Sequence, residues 1–90
     1  MAVSARRYLF QGHVQGVGFR RISARIAESF DVYGIVRNLS DGRVELVVEG
    51  ESDEISRYLA ELKKTFANNI LYFSEEKLTP QNFGEFRVTD

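Results

Sequence analysis

The chain has 90 residues, of which 43% are hydrophobic and 28% charged, and its formal net charge is −1. This length suits one compact domain over residues 1–90, and the near-neutral charge disfavours binding to nucleic acid. Because there is no cysteine and no apolar run long enough for a secretion signal or a membrane span, we expect a cytoplasmic protein without disulfides or membrane attachment.

The first part of the chain predicts a strand followed by a helix. Residues 7–14 contain alternating apolar side chains, which is typical of a strand. From Phe19 the apolar period lengthens to that of an amphipathic helix, and this helix should end near Asp31. The predicted buried stripe of the helix consists of Phe19, Ile22, Ile26 and Phe30.

The middle of the chain predicts a β-hairpin. Its arms are residues 34–40 and 43–50, and the Asp-Gly pair between them is a strong turn signal. In the second arm, the alternation predicts that Glu45 and Glu49 point to solvent. The inward-facing set of that arm is Val44, Leu46 and Val48.

The last third of the chain predicts a second helix and two strands. Ser52 is the expected N-cap of the helix, because its hydroxyl can accept a hydrogen bond from a free helix amide. Residues 69–78 begin as a strand, and residues 84–89 form a short final one. The apolar face of the helix consists of Ile55, Tyr58, Leu59, Leu62 and Phe66.

The predicted element order is therefore β-α-β-β-α-β plus a short terminal strand. This order is typical of an α+β ferredoxin-like sandwich, in which two helices pack on one face of an antiparallel sheet. Many unrelated activities share this architecture, so the function has to be inferred from a site.

The candidate site is the turn between the first strand and the first helix, residues 12–20 (GHVQGVGFR). Backbone amides in such a turn can converge on one anion, and Gly16 and Gly18 permit backbone angles closed to other residues. The start of the helix adds free amides and a positive partial charge. Arg20 can grip two phosphate oxygens with its planar guanidinium. The turn is therefore a candidate phosphate site, although it matches neither the dinucleotide-binding glycine pattern nor the P-loop. By themselves, a glycine-containing turn is more often structural and Arg20 would be an ordinary solvated arginine.

Two motifs resemble the signatures of the acylphosphatase family. The first is G-x-V-Q-G-V-x-F-R over residues 12–20, and the second is GIVRNLSDGRV over residues 34–44. The second resembles the family's Gly-aromatic-x-x-Asn-x-x-x-Gly-x-Val pattern. The two motifs occur in the expected order, separated by a helix of suitable length. The resemblance covers residues 7–66 well and the remainder only loosely.

The resemblance implies an enzyme that hydrolyses small-molecule acyl phosphates. It implies that backbone amides of the loop bind the substrate phosphate, that Arg20 binds the same group, and that Asn38 orients the attacking water. It implies no metal and no cofactor, and we expect the chain to act as a monomer. The predicted phosphate-binding residues are Gln15, Gly16, Val17, Gly18, Phe19 and Arg20, and the predicted catalytic residues are Arg20 and Asn38.

Asn38 and His13 also have purely structural interpretations. Asn38 lies late in the second predicted strand, where it could merely stabilise the hairpin turn. The topology could also bring that strand beside the first, so that the two motifs meet. His13, the only histidine, is interpreted as a strand residue rather than a base. With one histidine and no cysteine, neither a Ser-His-Asp triad nor a zinc site is indicated.

The sequence departs from the family pattern at several positions. Ile35 stands where an aromatic residue is usual, Asp31 where a helix-ending glycine is common, and Phe10 where an aliphatic residue is usual. The segment 67–78 is the larger departure, and it either lengthens the second helix or reshapes the fourth strand. None of these departures affects the predicted site residues.

Two further functions stay open at this stage. A non-catalytic acylphosphatase-like module would use the same loop to bind an anion. Residues 1–43 hold seven Lys/Arg against three Asp/Glu, and residues 44–90 hold five against ten, which favours an anion site in the first half. A ferredoxin-like RNA-binding protein needs adjacent aromatic residues on an open sheet, but the acidic second half disfavours it. The aromatic residues that could imitate such a surface are Tyr8, Phe10, Tyr72 and Phe73.

Overall fold

The computed structural model describes residues 2–89. A five-stranded sheet in the order β4-β1-β3-β2-β5 carries two helices, with the core between the sheet and the helices. The elements are β1 (Ser4–Gly12), α1 (Phe19–Ala27), β2 (Val32–Asn38), β3 (Val44–Gly50), α2 (Ser52–Thr65), β4 (Ile70–Leu78) and β5 (Phe86–Thr89). The predicted ferredoxin-like order of elements is confirmed.

The strand pairing brings the ends of β1 and β2 to the same edge of the sheet. Both strands pair antiparallel with β3, which lies between them, so β1 and β2 run parallel to each other. The expectation that these two strands would be neighbours is therefore wrong. Their C-terminal ends nevertheless share one edge, where the two sequence motifs meet. The sheet is mixed rather than wholly antiparallel, because β5 runs parallel to β2.

The first strand ends at Gly12 rather than at residue 14. Gly12 has a φ of +135°, and a Cβ at this position would lie 2.4 Å from the carbonyl oxygen of Asn69. The amide of His13 donates a hydrogen bond to the same carbonyl at 2.9 Å. The chain thus leaves the sheet at Gly12, and His13 is an exposed residue of the following turn instead of a strand residue.

Aromatic rings in the core anchor the start of α1. The ring centroid of Phe19 lies 5.3 Å from that of Phe10 and 4.4 Å from that of Phe66. Burying a phenylalanine side chain stabilises a fold by about 1.5–3 kcal/mol, so this cluster holds the first residue of α1 in place. Tyr8 and Phe10 are 2% and 0% exposed, so they cannot stack on RNA bases. The inward-facing residues of β3 are fully buried as predicted: Val44, Leu46 and Val48.

The other face of β3 carries two buried carboxylates, so the prediction that they point to solvent is wrong. Glu45 is 7% exposed and Glu49 is 2% exposed. Glu45 accepts hydrogen bonds from the Nε atoms of Arg7 at 2.6 Å and Arg37 at 2.5 Å. Burial alone would raise the pKa of Glu45, but the two guanidinium groups hold it below its ordinary value. Glu49 accepts hydrogen bonds from the backbone amides of residues 81–83.

Both helices differ from the prediction at one end. α1 ends at Ala27, and residues 28–30 continue as tight turns in which each amide bonds the carbonyl three residues earlier. The N-cap of α2 is Glu51, whose side chain makes no capping hydrogen bond. Ser52 is the first helical residue, and its hydroxyl accepts a hydrogen bond from Arg6 Nη2 at 2.7 Å. The prediction of Ser52 as the N-cap is therefore wrong.

The divergent segment 67–78 forms a turn and an edge strand and does not lengthen α2, which ends at Thr65. The amides of Asn69 and Ile70 both donate to the carbonyl of Phe66, at 2.9 and 3.0 Å, and β4 then pairs with β1. The longest helix, α2, has 14 residues, whereas a membrane span needs about 20. Within residues 2–89, no helix is long and apolar enough to cross a membrane.

Candidate active site

The turn between β1 and α1 presents a run of free backbone donors. Gly16 and Gly18 adopt left-handed backbone angles, with φ values of +79° and +80°, which glycine tolerates far better than other residues. Gly18 is the N-cap of α1, and no side chain within residues 2–89 caps this helix end. Among the residues that the structure describes, nothing accepts a hydrogen bond from the amides of residues 15–19. Such an arrangement suits an anion.

Gln15 supports the turn through its side chain. Its Nε2 donates to the carbonyl oxygen of Leu39 at 2.8 Å and to that of Arg43 at 2.9 Å. These bonds connect the turn to the residues on either side of the β2–β3 hairpin turn. The carboxamide of Gln15 is therefore engaged within the protein, and the backbone amide is the group of this residue left for an anion.

A cavity of about 360 Å³ lies beside the turn and brings the two sequence motifs together. Arg20 and Asn38, which are 18 positions apart in the sequence, both line it. The side chain of Val17 packs against the core instead, and neither Val17 nor Gln15 lines the cavity. The lining residues are Val14, Gly16, Gly18, Phe19, Arg20, Arg21, Asn38 and Val88.

Arg20 lies in the first turn of α1 and is held from the side of β5. Its Nη1 donates to the backbone carbonyl of Thr89 at 3.0 Å. Thr89 is in register with Arg37 of β2, so the parallel pairing of β5 places this carbonyl at the edge of the sheet where the motifs meet. This contact positions the guanidinium at the cavity wall.

Asn38 is the last residue of β2 and faces the helix side of the sheet. It is in register with Val44, whose side chain is fully buried in the core. Within residues 2–89, the carboxamide of Asn38 has no hydrogen-bond partner. The hairpin turn is stabilised by Asp41, whose carboxylate accepts from the amide of Arg43 at 3.1 Å and from its Nε at 2.9 Å. The turn therefore does not use Asn38.

Among residues 2–89, the charged side chains that line the cavity are both arginines, Arg20 and Arg21. None of its lining residues between positions 2 and 89 is acidic, and the first turn of α1 contains no acidic residue. The N-terminal end of the helix adds a positive partial charge to the guanidinium groups. No group of three or more His, Asp or Glu side chains in the described part of the chain is arranged to hold a metal.

Four residues at or beside the cavity are not among the predicted site residues: Val14, Arg21, Val88 and Thr89. Val88 lines the cavity and Thr89 holds Arg20, but their place depends on the parallel pairing of β5, which no local pattern reveals. Arg21 lies off the apolar stripe of α1, where an ordinary surface residue would also lie. Its position directly after Arg20 was the signal available.

The fold and this site define an α+β sandwich that presents a turn of unbonded backbone amides at one edge of its sheet, as far as residues 2–89 show. The acylphosphatase family model matches residues 6–88. A curated acylphosphatase from Thermotoga petrophila is 36% identical over 87 residues, which are 96% of this chain and 97% of the relative. The chain therefore belongs to the acylphosphatase family.

Solved structures agree with this assignment. An acylphosphatase from Bacillus subtilis superposes with a TM-score of 0.86 at 25% identity, covering 99% of this chain and 100% of that one. HypF from T. kodakarensis superposes with a TM-score of 0.80 at 36% identity, covering 94% of this chain and 11% of that longer one. Similarity over nearly the whole chain to enzymes named acylphosphatase supports acylphosphatase function, a hydrolase activity.

Proposed function

We propose that this chain hydrolyses acyl phosphates with the phosphoryl group bound in the turn between β1 and α1. The oxygen of a water molecule bonds to phosphorus, the bond from phosphorus to the acyl oxygen breaks, and the acyl group leaves as a carboxylate. Because a carboxylate is a stable leaving group, the reaction depends on positioning and charge stabilisation more than on acid–base catalysis.

The observation that carries this proposal is a run of five amides that have no acceptor within residues 2–89, beside a cavity lined by Arg20 and Asn38. The amides of residues 15–19 would bind the phosphoryl oxygens, and Arg20 would bind the same group from the first turn of α1. Donors that are already in place stabilise developing charge without reorganisation. The turn would thus lower the barrier for phosphoryl transfer.

In this proposal, Asn38 orients the attacking water molecule. Its carboxamide offers one acceptor and two donors, and none of these is engaged within residues 2–89. The cavity lining in this range contains no carboxylate and no histidine. The water proton would therefore pass to a phosphoryl oxygen of the substrate rather than to a protein base.

Hydrolysis of benzoyl phosphate by the purified protein tests the proposal. We expect Arg20→Ala and Asn38→Ala each to lower kcat/KM about 100-fold or more, as removal of a transition-state donor typically does. Arg25→Ala is the matched control, because Arg25 is an exposed arginine of the same helix that does not line the cavity. Normal turnover by both folded site variants would refute the assignment. Phosphate binding without turnover in the unmodified protein would favour the non-catalytic module.

The proposal includes the setting in which the chain acts. We infer a single acylphosphatase domain over residues 1–90, acting as a monomer in the cytoplasm without a metal, a cofactor, nucleic acid or a membrane. The absence of cysteine and the net charge of −1 support this setting. Analytical ultracentrifugation of the purified protein tests whether it is a monomer. Measuring turnover in the presence of a metal chelator tests whether activity requires a metal.

A further inference from the structure

The cavity contains a second arginine that the proposed reaction does not use. Arg21 lines the cavity beside Arg20, and its side chain is exposed. Within residues 2–89, Arg21 has no hydrogen bond or ion pair. Most arginines of the chain, by contrast, lie within 4.0 Å of a carboxylate: Arg6, Arg7, Arg37, Arg43, Arg57 and Arg87.

Arg21 approaches the cavity from a different direction than Arg20. Successive helix positions are rotated by about 100°, since an α-helix has 3.6 residues per turn. Arg20 is partly buried, and its Nη1 reaches the Thr89 carbonyl on the side of β5. Arg21 instead lies at the solvent-exposed mouth. A ligand whose phosphate contacts Arg20 would therefore present its other end, the acyl group, toward Arg21.

The cavity has room for such an acyl group. Its volume of about 360 Å³ falls within the range of sites for small organic ligands and exceeds what a phosphoryl group alone would fill. Val88, which is 46% exposed, contributes an apolar side chain to the lining. Since no acidic residue among those described lines the cavity, the charge of Arg21 at the mouth is not balanced by a lining side chain.

We propose that Arg21 selects acyl phosphates whose acyl group carries a second anionic group, a carboxylate, over those with a neutral acyl group. This inference rests on the proposed function, which it extends to the substrate class. The planar guanidinium matches a carboxylate with two parallel hydrogen bonds. Because the pair would form at an exposed mouth, it contributes at most about 1 kcal/mol, or about fivefold in affinity.

Two substrates that differ by one carboxylate test the proposal: benzoyl phosphate and 4-carboxybenzoyl phosphate. We expect Arg21→Gln to lower kcat/KM for the carboxylated substrate about fivefold, mainly through KM. For benzoyl phosphate we expect a change of less than about twofold, as for an ordinary surface substitution. The selective effect should shrink in high salt, which screens exposed charges.

Arg25→Gln is the matched control. Arg25 lies one turn further along the same helix face, is exposed, and also has no partner within residues 2–89, but it does not line the cavity. It should leave the ratio of the two kcat/KM values unchanged. If Arg21→Gln lowers kcat/KM equally for both substrates, or for neither, Arg21 does not distinguish the two acyl groups and the inference is overturned.

A binding measurement separates this inference from the proposed function. If the unmodified protein hydrolyses neither substrate, the proposed function fails. Calorimetry with the unreactive pair benzylphosphonate and 4-carboxybenzylphosphonate then tests Arg21 by itself. Preference for the carboxylated ligand that is lost in Arg21→Gln supports the inference, and equal affinity of the unmodified protein for both ligands overturns it.

Discussion

Gln15 Nε2 donates to the carbonyl oxygen of Leu39 at 2.8 Å and so connects the turn between β1 and α1 to the end of β2. Leu39 directly follows Asn38 in the chain. One carboxamide thus sets the distance between the amides proposed to bind phosphate and the asparagine proposed to orient water. The second hydrogen bond, to Arg43 at 2.9 Å, holds the other side of the same hairpin turn.

Gln15→Ala should therefore weaken both stability and catalysis. Loss of two hydrogen bonds to partly buried carbonyls lowers the free energy of unfolding by about 1–2 kcal/mol. We also expect kcat for benzoyl phosphate to fall, because the turn and Asn38 would no longer be held together. Urea unfolding and steady-state kinetics measure the two effects. Gln11→Ala is the control, since Gln11 is exposed and its side chain has no partner within residues 2–89. An unchanged kcat in Gln15→Ala would contradict this role.

Gly34, the first residue of the second motif, should be required for packing. A Cβ at Gly34 would lie 2.0 Å from the carbonyl oxygen of Val47 on the adjacent strand, a contact that only backbone movement can relieve. We expect Gly34→Ala to lower the free energy of unfolding by about 1–3 kcal/mol, as overpacking does. Gly84→Ala is the control, because no atom of residues 2–89 lies within 4 Å of its added Cβ. Equal stability of the two variants in urea would show that β2 and β3 can separate at little cost.

The features that could be predicted from the sequence are those with a local physical cause. The apolar stripe beginning at Phe19 and the alternation through β3 reflect the periods of a helix and a strand. β3 formed where expected, and α1 begins at the expected residue although it ends at Ala27 rather than near Asp31. The Asp-Gly pair placed the hairpin turn, since Gly42 has a φ of +96°. The glycines at 16 and 18 likewise predicted a turn with left-handed backbone angles.

The features that could not be predicted depend on partners distant in the sequence. Glu45 and Glu49 alternate as solvent-facing residues would, yet β3 is the central strand and groups from β1, β2 and the segment before β5 cover them. The hydroxyl of Ser52 bonds Arg6 across 46 residues rather than its own helix. The roles of Arg20 and Asn38 in catalysis stay predictions, since the structure brings them to one cavity but shows no reaction.

Because of Glu45, the free energy of unfolding should depend on pH in the acidic range. Its pKa in the folded protein is below the ordinary value of 4.5, so the unfolded chain binds the proton more readily. The stabilisation from Glu45 is thus fully present above about pH 4.5 and is lost as the pH falls through the lower folded pKa. We expect Glu45→Gln to be less stable than the unmodified protein at pH 7, with the difference shrinking toward pH 3.

Urea midpoints at pH 7, 5 and 3 measure this dependence. Glu61→Gln is the control, because Glu61 is an exposed residue of α2 whose carboxylate has no partner within residues 2–89. It should change stability by no more than about 0.5 kcal/mol at any of these pH values. If the Glu45→Gln difference is the same at pH 3 as at pH 7, the two arginines do not stabilise the charged form of Glu45.

Glu49 should hold β5 in the position that supports Arg20. Its Oε1 accepts from the amides of Asn82 at 2.9 Å and Phe83 at 3.2 Å, and its Oε2 accepts from the amide of Gln81. Glu49→Gln keeps one oxygen for two of these amides, whereas Glu49→Ala leaves all three without their acceptor. Because an unsatisfied buried donor costs about 1–3 kcal/mol, the alanine variant should be the less stable of the two.

The same two variants should also differ in catalysis. The segment held by Glu49 leads directly into β5, whose Thr89 carbonyl accepts from Arg20. A loosened β5 would leave Arg20 less well positioned, so KM for benzoyl phosphate should rise more in Glu49→Ala than in Glu49→Gln. Glu51→Ala is a control, since Glu51 is exposed and its side chain caps nothing. A Glu49→Ala variant that loses stability but keeps its KM would show that β5 does not position Arg20.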